Sequence, residues 1–239
     1  MKANNVQTAQ QKSVDVLATN TYYSFACGPV DLDLVFTAPM LINDLDLLST
    51  PINYISYQVH ATDGKQHKVE FYLATTPEMA MNNVKNKFQA TETSLVSANG
   101  IQYAKAGTIE QPILAKKGDA VCIDWGYVYL PNVNGNVCVA PYKEAQSEFA
   151  ATGKVASSDK TVVARKVSQL PALAYVHDFG EVGAAPASSY TMIGYDEVQD
   201  IEYLYQRYKA YWAHEGKVTI FDAFDKLKAN YSKIMEDCR

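Results

Sequence analysis

Cysteine, histidine and basic charge are scarce in this sequence, and each scarcity excludes a class of function. The 239 residues include four cysteines without a CxxC spacing or a paired histidine, which argues against a zinc site and a redox motif. Lysine and arginine total 21 against 26 aspartates and glutamates, so the chain lacks the basic surface of a dedicated nucleic-acid binder. No apolar run approaches the roughly 20 residues that cross a bilayer. We therefore expect no nucleic acid, no membrane span and no bound metal.

Catalytic sequence motifs are missing as well. No nucleophile elbow, P-loop or dinucleotide-binding fingerprint occurs, and the glycines of GEVGAAP (180–186) are not followed by a helical pattern. The histidines are scattered along the chain at His60, His67, His177 and His214. Carboxylate pairs for hydrolysis can be drawn from Asp178, Glu181, Asp196 and Glu197, but 26 acidic residues produce such pairs by chance. We therefore assign no catalytic, cofactor-binding or metal-binding residue, and we expect no cofactor.

The strongest positive signal is the alternation of apolar and polar residues between Gly28 and Thr75. Three runs place apolar residues at every second position: Val30, Leu32, Leu34 and Phe36, then Ile55, Tyr57 and Val59, then Val69, Phe71 and Leu73. This period of two is typical of strands with one face in a core. Asp63-Gly64 separates the last two runs and favours a tight hairpin turn. The block therefore predicts at least three antiparallel strands of a β-sandwich.

Further strands and connections follow from similar patterns. Residues 119–130 (DAVCIDWGYVYL) carry bulky side chains on one face and predict a central strand of the second sheet. Strand patterns return in 161–167, 172–179 and 190–195. Composition predicts connections at 38–51 and 141–160, whereas residues 77–98 fit a short helix or an inserted loop equally well. A Cys122–Cys138 bridge across a hairpin is possible, but the sequence does not decide it.

Near Asp196, helical periodicity replaces alternation. Apolar residues at three- and four-residue spacing predict an amphipathic helix from Asp196 to His214. Thr219 followed by Asp222 predicts a capped second helix, whose apolar stripe still continues at Arg239. We expect a mainly β fold, a large antiparallel two-sheet β-sandwich followed by two C-terminal α-helices. The expected organisation is a tail at 1–12, a β-sandwich domain at 13–197 and helices at 198–239 that begin a further helical domain.

Tyrosine is abundant, with 17 residues, and several lie in the helix predicted at 203–212. We expect a helix that is aromatic nearly all round to lie between two domains. The candidates for this domain interface are Tyr205, Tyr208, Tyr211 and Trp212. A simpler explanation is that the tyrosines only pack, with their hydroxyls at the rim, and another is that exposed tyrosines stack on sugars.

Several separated motifs resemble the N-terminal domain of the fungal and bacterial glutaminase A family. They are PVDLDLVFTAP (29–39), LLSTPINYISYQVHATDGKQHKVEFYLATT (47–76), GDAVCIDWGYVYL (118–130) and YTMIGYDEVQDIEYLYQRYKAYW (190–212). The resemblance implies a β-sandwich followed by an α-hairpin toroid, in a secreted or periplasmic amidohydrolase that converts glutamine to glutamate and ammonia without a cofactor. The resemblance also implies a signal peptide upstream in the parent. The residues MKANNVQTAQQKS themselves lack the apolar core of a signal peptide, so the chain is either cytosolic or a segment of a longer precursor.

Two functional hypotheses follow from these observations. The first is a non-catalytic N-terminal module of a glutaminase-like protein, whose partner is the downstream α-hairpin domain of the same parent chain. In that case the segment is inactive alone, and glutamine is the substrate of the parent. The alternative is a glycan-binding accessory domain of a carbohydrate-active enzyme. An enzyme that uses its own acidic pair ranks last.

Overall fold

The computed structural model describes residues 6–82, 88–118 and 122–239, which form a mainly β protein with helices near its C-terminus. The strands are β1 (Gln10–Val16), β2 (Asn20–Cys27), β3 (Val30–Thr37), β4 (Ile52–Ala61), β5 (His67–Thr75), β6 (Thr91–Ala98), β7 (Ile101–Thr108), β8 (Tyr127–Pro131), β9 (Asn136–Pro141), β10 (Val162–Ala164), β11 (Pro171–Val182), β12 (Ala187–Asp196), β13 (Ile201–Tyr203) and β14 (Gln206–Tyr208). The α-helices are α1 (Leu45–Ser49), α2 (Tyr142–Thr152), α3 (Ile220–Ala229) and α4 (Tyr231–Asp237). Short 3₁₀ segments occupy Pro77–Ala80, Val167–Gln169 and Tyr211–Gly216. In this described part of the chain, no helix is both long enough and apolar enough to span a membrane.

The strands assemble into two stacked sheets and a separate hairpin. The large sheet has the strand order β1-β2-β3-β4-β12-β8-β7-β6-β10, and the small sheet has the order β5-β11-β9. Strands β13 and β14 pair only with each other among the described strands. The pairs within each sheet are antiparallel. The prediction of a mainly β, antiparallel fold with C-terminal helices is therefore confirmed.

The small sheet covers one face of the large sheet, and the space between them is the first core. Tyr57 of β4 stacks on Phe71 of β5 with ring centroids 3.9 Å apart. The hydroxyl oxygens of Tyr57 and Tyr175 are 2.8 Å apart, and the Tyr175 hydroxyl donates to the carbonyl of Val133 at 2.8 Å. These buried polar groups are therefore satisfied. At these positions tyrosine packs the core, as the simpler explanation of its abundance predicts.

The C-terminal helices cover the opposite face of the large sheet and form a second core. Met192 of β12 lies in this core together with Phe224 and Leu227 of α3. Phe224 lies directly over Gly194, since a Cβ on that glycine would come within 2.7 Å of the phenylalanine ring. The hydroxyl of Tyr54 donates to the carbonyl of Leu227 at 2.7 Å. The protein thus has three layers, in which the large sheet lies between the small sheet and the helices.

The strands predicted between Gly28 and Thr75 are confirmed as β3, β4 and β5. The Asp63-Gly64 turn is not a hairpin turn, because β4 belongs to the large sheet and β5 to the small sheet. The two strands face the same core from opposite sides, where Tyr57 and Phe71 stack. Alternation identifies which side chains are buried, but it does not identify the hydrogen-bonded neighbour of a strand.

The prediction of a long strand over 119–130 is wrong in extent and in sheet. Residues 119–121 lie outside the described residues, and β8 begins only at Tyr127, after Gly126 with its φ of 90°. It belongs to the large sheet that also contains β3 and β4. Val128 contributes to the first core and Tyr129 to the second. Because both faces of β8 are covered, the bulky side chains on one face did not identify the sheet to which the strand belongs.

The three later strand predictions are confirmed in position as β10, β11 and β12. In the ambiguous segment 77–98, the described residues form the 3₁₀ segment Pro77–Ala80 and strand β6. Residues 83–87 of that segment lie outside the described residues.

A helix forms at 141–160, where a connection was predicted. Helix α2 places Phe149 against Tyr72, with ring centroids 4.8 Å apart. It ends at Gly153, whose φ of 71° lies in the left-handed region that favours glycine at a helix C-terminus. The prediction was wrong because contacts with the small sheet, rather than a strong periodic pattern, stabilise this helix.

Two further elements extend beyond the predictions. Helix α1 lies within the predicted connection 38–51 and is capped by Asp44, whose carboxylate accepts a hydrogen bond from the backbone N–H of Leu47 at 2.9 Å. Strand β1 begins at Gln10, inside the predicted tail 1–12, because it pairs with β2. A five-residue helix and an exposed edge strand leave little apolar periodicity in a sequence.

The helix predicted from Asp196 to His214 is wrong. The segment forms the β13–β14 hairpin, followed by the 3₁₀ segment Tyr211–Gly216. At the tip, Leu204 and Tyr205 have φ angles of 48° and 65°, which suit a two-residue hairpin turn and exclude an α-helix. The helical spacing of the apolar residues does not correspond to a buried helix face in the structure, because most of these side chains are exposed.

The capped helix predicted after Thr219 is confirmed. The Thr219 hydroxyl accepts from the backbone N–H of Asp222, and the Asp222 carboxylate accepts from the backbone N–H of Thr219, so the capping box is complete. The helix breaks at Asn230, so the single helix predicted after Thr219 is divided into α3 and α4, and neither of them is the first of the two helices that were predicted.

Phe224→Ala is expected to lower the free energy of unfolding by about 3–5 kcal/mol, because it leaves a cavity in the second core. Urea unfolding followed by circular dichroism measures this change. The control Lys228→Ala removes an exposed side chain from the same helix and is expected to change stability by less than about 0.5 kcal/mol. A loss for Phe224→Ala no larger than that of the control would contradict the packing of α3 on the sheet.

Candidate functional site

The β13–β14 hairpin presents large apolar side chains to solvent. Its exposed residues are Ile201, Tyr203, Leu204, Tyr205 and Tyr208, and the Tyr205 side chain at the tip is 94% exposed. Neither sheet nor helix layer covers them, and the hairpin pairs with no other described strand. Large exposed apolar patches on proteins commonly mark sites of interaction.

The four candidates for a domain interface fall into two groups. Tyr205, Tyr208 and Tyr211 are exposed, whereas Trp212 is only 5% exposed and belongs to the second core. Trp212 therefore anchors the segment from which the exposed tyrosines project. The exposed residues Ile201, Tyr203 and Leu204 were missed because a helical interpretation distributed them around a helix axis.

A second exposed apolar patch lies close to the hairpin segment. It consists of Met40, Ile42, Leu45 and Leu48, in and before helix α1. Helix α1 packs against the 3₁₀ segment Tyr211–Gly216, and Nε2 of His214 lies 3.0 Å from Oδ1 of Asp46 on α1. We call the two patches together the hairpin surface. No sequence signal linked them, since the packing of α1 against the 3₁₀ segment depends on the tertiary fold.

The Trp125-Gly126 turn before β8 holds the base of the hairpin. The Trp125 indole donates to the carbonyl of Gln199 at 3.1 Å, and the Tyr195 hydroxyl donates to the carbonyl of Trp125. A Cβ at position 126 would lie only 2.5 Å from the carbonyl oxygen of Asp196. Only glycine allows this approach, so the turn determines where the hairpin leaves the sheet.

A cavity of about 230 Å³ lies at the base of the hairpin. Its charged lining consists of three carboxylates and one ammonium group, from Asp196, Glu197, Asp200 and Lys209. Its aromatic lining consists of Tyr129, Trp212 and Phe221. We call this the acidic cavity. The sequence singled out Asp196 and Glu197 as members of a possible acidic pair, whereas Asp178 and Glu181 lie on β11 in the small sheet.

The carboxyl groups of the acidic cavity are perturbed by their surroundings. Burial raises the pKa of Glu197 to about 7, and the charges of Asp200 and Asp196 add to this shift against the effect of a backbone hydrogen bond. Burial also raises the pKa of Asp200, although a hydrogen bond from the backbone of Ala210 opposes the shift. Glu197 can therefore take up or release a proton near neutral pH.

The described residues offer no obvious metal centre or redox pair. Within 6–82, 88–118 and 122–239, no group of three or more His, Cys, Asp or Glu side chains is arranged to hold a metal ion. All four cysteines are free, Cys122 being exposed and Cys138 buried, so the bridge left open by the sequence is not formed.

A different cavity, of about 500 Å³, lies near Phe36 of β3 and Leu73 of β5. The residues that form its lining are apolar or uncharged, Asn20, Thr37 and Asn53 being among the polar ones. Without an ionisable group in this lining, the cavity provides no acid–base chemistry.

Comparison with known proteins gives two matches. The model of the family described as "Domain of unknown function (DUF5127)" matches residues 19–239. The chain is also similar to Glutaminase A from Aspergillus oryzae (strain ATCC 42149 / RIB 40), with 23% identity over 203 residues. This alignment covers 83% of the chain and 29% of the relative, so the chain spans less than a third of the length of that protein.

Glu197→Gln is expected to raise the melting temperature by about 2–4 °C at about pH 8 and to change it little at about pH 4. The pKa of Glu197 is about 7 in the folded protein against an ordinary value of 4.5. At low pH the Glu197 carboxyl is protonated in both the folded and the unfolded protein, and its ionisation then costs no stability. As the pH rises through the pKa of the folded protein, the buried carboxyl must ionise, and the free energy of unfolding falls. Melting curves across a pH series measure the difference.

The matched control is Glu202→Gln, which makes the same chemical change at a surface carboxylate that lies 3.3 Å from Arg207. It should leave the pH profile of stability close to that of the original chain, because exposed ion pairs contribute little. If Glu197→Gln gave the same profile as this control, the burial of Glu197 would be contradicted.

Proposed function

This chain belongs to the family described as a domain of unknown function, DUF5127, and from that premise we propose that it is the non-catalytic N-terminal module of a glutaminase-like protein. Its role is to hold a further domain of the parent chain through the hairpin surface. A relative of the chain carries the name Glutaminase A and is more than three times as long as the matched part. The activity on glutamine then belongs to the parent as a whole.

The exposure of the hairpin carries this proposal. Tyrosine and other aromatic side chains are enriched in the buried parts of protein interfaces, where their rings supply area and their hydroxyls supply hydrogen bonds. Tyr203, Tyr205 and Tyr208 are all exposed on a hairpin that extends from a firmly anchored base. Such residues are unfavourable in water and useful at an interface.

The proposed partner is an α-hairpin domain of the same parent, and the proposed setting is secreted or periplasmic. Both come from the resemblance to the glutaminase A family. The DUF5127 segment contributes the surface on which that domain docks, and it supports the glutamine-hydrolysing pocket without supplying its catalytic groups. No cofactor is part of this proposal.

In the longer parent protein, the double substitution Tyr203→Ser and Tyr205→Ser is expected to lower glutaminase activity about five-fold or more, because it weakens docking by about 1 kcal/mol or more. The same change in the 239-residue chain should leave its melting temperature nearly unchanged, since both side chains are exposed. Ammonia release and thermal unfolding measure the two effects.

Val16→Ser is the control, because Val16 is an exposed apolar residue on strand β1, outside the hairpin surface. It should leave the activity of the parent unchanged. Glutamine turnover by the 239-residue chain alone would overturn the assignment of a non-catalytic module, and full activity of the tyrosine double variant would overturn the docking role.

A second candidate function, glycan binding, is favoured by a different surface. Tyr190 and Tyr231 stack with ring centroids 3.6 Å apart, beside a depression of about 450 Å³. The polar side chains around this depression are Asn134, His177, Ser188 and Ser189. Aromatic rings flanked by hydrogen-bonding groups are suited to sugars.

A glycan array followed by calorimetry tests this candidate. Binding that is lost in Tyr190→Ala but retained in Tyr205→Ala would support a glycan site at the stacked pair. The absence of binding across a broad panel would remove this candidate and leave the docking module.

A further inference from the structure

The cavity of about 500 Å³ near Phe36 and Leu73 has an uncharged lining, and we call it the uncharged cavity. None of the sixteen described residues that line it is acidic, basic or histidine, although 20% of the residues in the chain are charged. Ligand-binding cavities in proteins have volumes of roughly 300–1,000 Å³ and mainly apolar linings with a few polar groups. The uncharged cavity therefore has the size and the composition of a site for a small uncharged molecule.

The large sheet forms one wall of the uncharged cavity. Thr21, Phe36 and Ile55 lie directly opposite one another on the neighbouring strands β2, β3 and β4. Residues paired in this way share a face of a sheet, so all three side chains lie on the same wall. Leu73 of β5 lines the cavity from the small sheet and also packs against the first core. The cavity therefore borders the first core, between the two sheets.

Three large apolar side chains of the lining are exposed to solvent. They belong to Leu17, Phe36 and Met79, from three separate parts of the chain. A small molecule can therefore reach the cavity from solvent without a change in the fold. Binding of an apolar molecule here is favourable, because it removes apolar surface of both the protein and the ligand from water.

A polar residue interrupts the apolar row of β4 at this cavity. Asn53, Ile55 and Tyr57 occupy every second position of the strand and therefore share one face. Ile55 and Tyr57 are buried, whereas Asn53 is exposed and lines the cavity. The amide of an asparagine can both donate and accept hydrogen bonds. An asparagine at this position therefore suits a ligand whose apolar body ends in a hydrogen-bonding head group.

We infer that the uncharged cavity binds a small uncharged molecule with an apolar body and one polar head group, such as an alcohol or a primary amide. The body lies against Phe36, Ile55 and Leu73, and the head group bonds to the amide of Asn53. A charged head group is disfavoured, because it would leave water without an opposite charge among the described lining residues. The cavity shares no lining residue with the hairpin surface, so the inference does not depend on the docking role.

An NMR titration of the 239-residue chain, labelled with ¹³C at its methyl groups, tests the inference. The probes are hexan-1-ol and hexanamide, and their charged counterparts are hexylammonium and hexanoate. All four have carbon chains of the same length, so the comparison isolates the charge of the head group. Each uncharged probe is expected to shift the methyl signals of Ile55 and Leu73, with an affinity about ten-fold or more above that of its charged counterpart.

Thr21→Phe places a large ring in the cavity and is expected to weaken binding of the uncharged probes about ten-fold or more. The control Thr62→Phe makes the same change at an exposed position outside the lining and should alter binding less than about two-fold. Asn53→Leu removes the partner of the head group and is expected to weaken binding about five-fold. Melting curves check that each variant is folded, and the comparison of charged with uncharged probes needs no variant.

Binding of one uncharged probe alone would support the site and would identify its head group. Equal binding of the charged counterparts, equal effects of Thr21→Phe and Thr62→Phe, or no shift of the two methyl signals at about 20 mM of either uncharged probe would overturn the inference. Unchanged binding in Asn53→Leu would overturn the role of Asn53.

Discussion

The close approach of Gly126 to the backbone of Asp196 is the constraint on which the candidate site depends. The turn before β8 and the end of β12 lie in direct contact, and this contact requires glycine at position 126 because a Cβ would not fit between them. The Trp125 indole completes the contact by bonding to Gln199. The hairpin therefore starts from a rigid base, with Trp212 in the second core below it and the acidic cavity between them.

Much of the fold could be predicted, because alternation reports burial directly. The strands of the block from Gly28 to Thr75 and the capping box at Thr219 both follow from local patterns that the tertiary structure preserves. Sheet membership could not be predicted in the same way. Tyr57 and Phe71 belong to runs with the same alternating pattern, yet they lie in different sheets and stack across the core. Pairing is a long-range property, and single-strand patterns do not contain it.

The sequence drew attention to the aromatic residues of the candidate site, but it gave them the wrong secondary structure. The aromatic residues around Tyr205 indicated an interface, yet their spacing suggested a helix, whereas positive φ angles at Leu204 and Tyr205 produce a hairpin. The helix was predicted wrongly because apolar residues at helical spacing indicate a helix only when they pack against another part of the protein, and most of these side chains are exposed. The acidic cavity was missed for a related reason. Glu197 is one of 26 acidic residues, and only the fold shows that burial sets it apart.

The central claim is that the hairpin surface is covered by another domain of the parent protein. Hydroxyl-radical footprinting with mass spectrometry tests it directly, by comparing oxidation of Tyr203, Tyr205 and Tyr208 in the 239-residue chain and in the longer parent. The account predicts that oxidation of these exposed tyrosines falls several-fold in the parent, while oxidation of Val16 on β1 stays the same. Equal oxidation of the hairpin tyrosines in both proteins would contradict it.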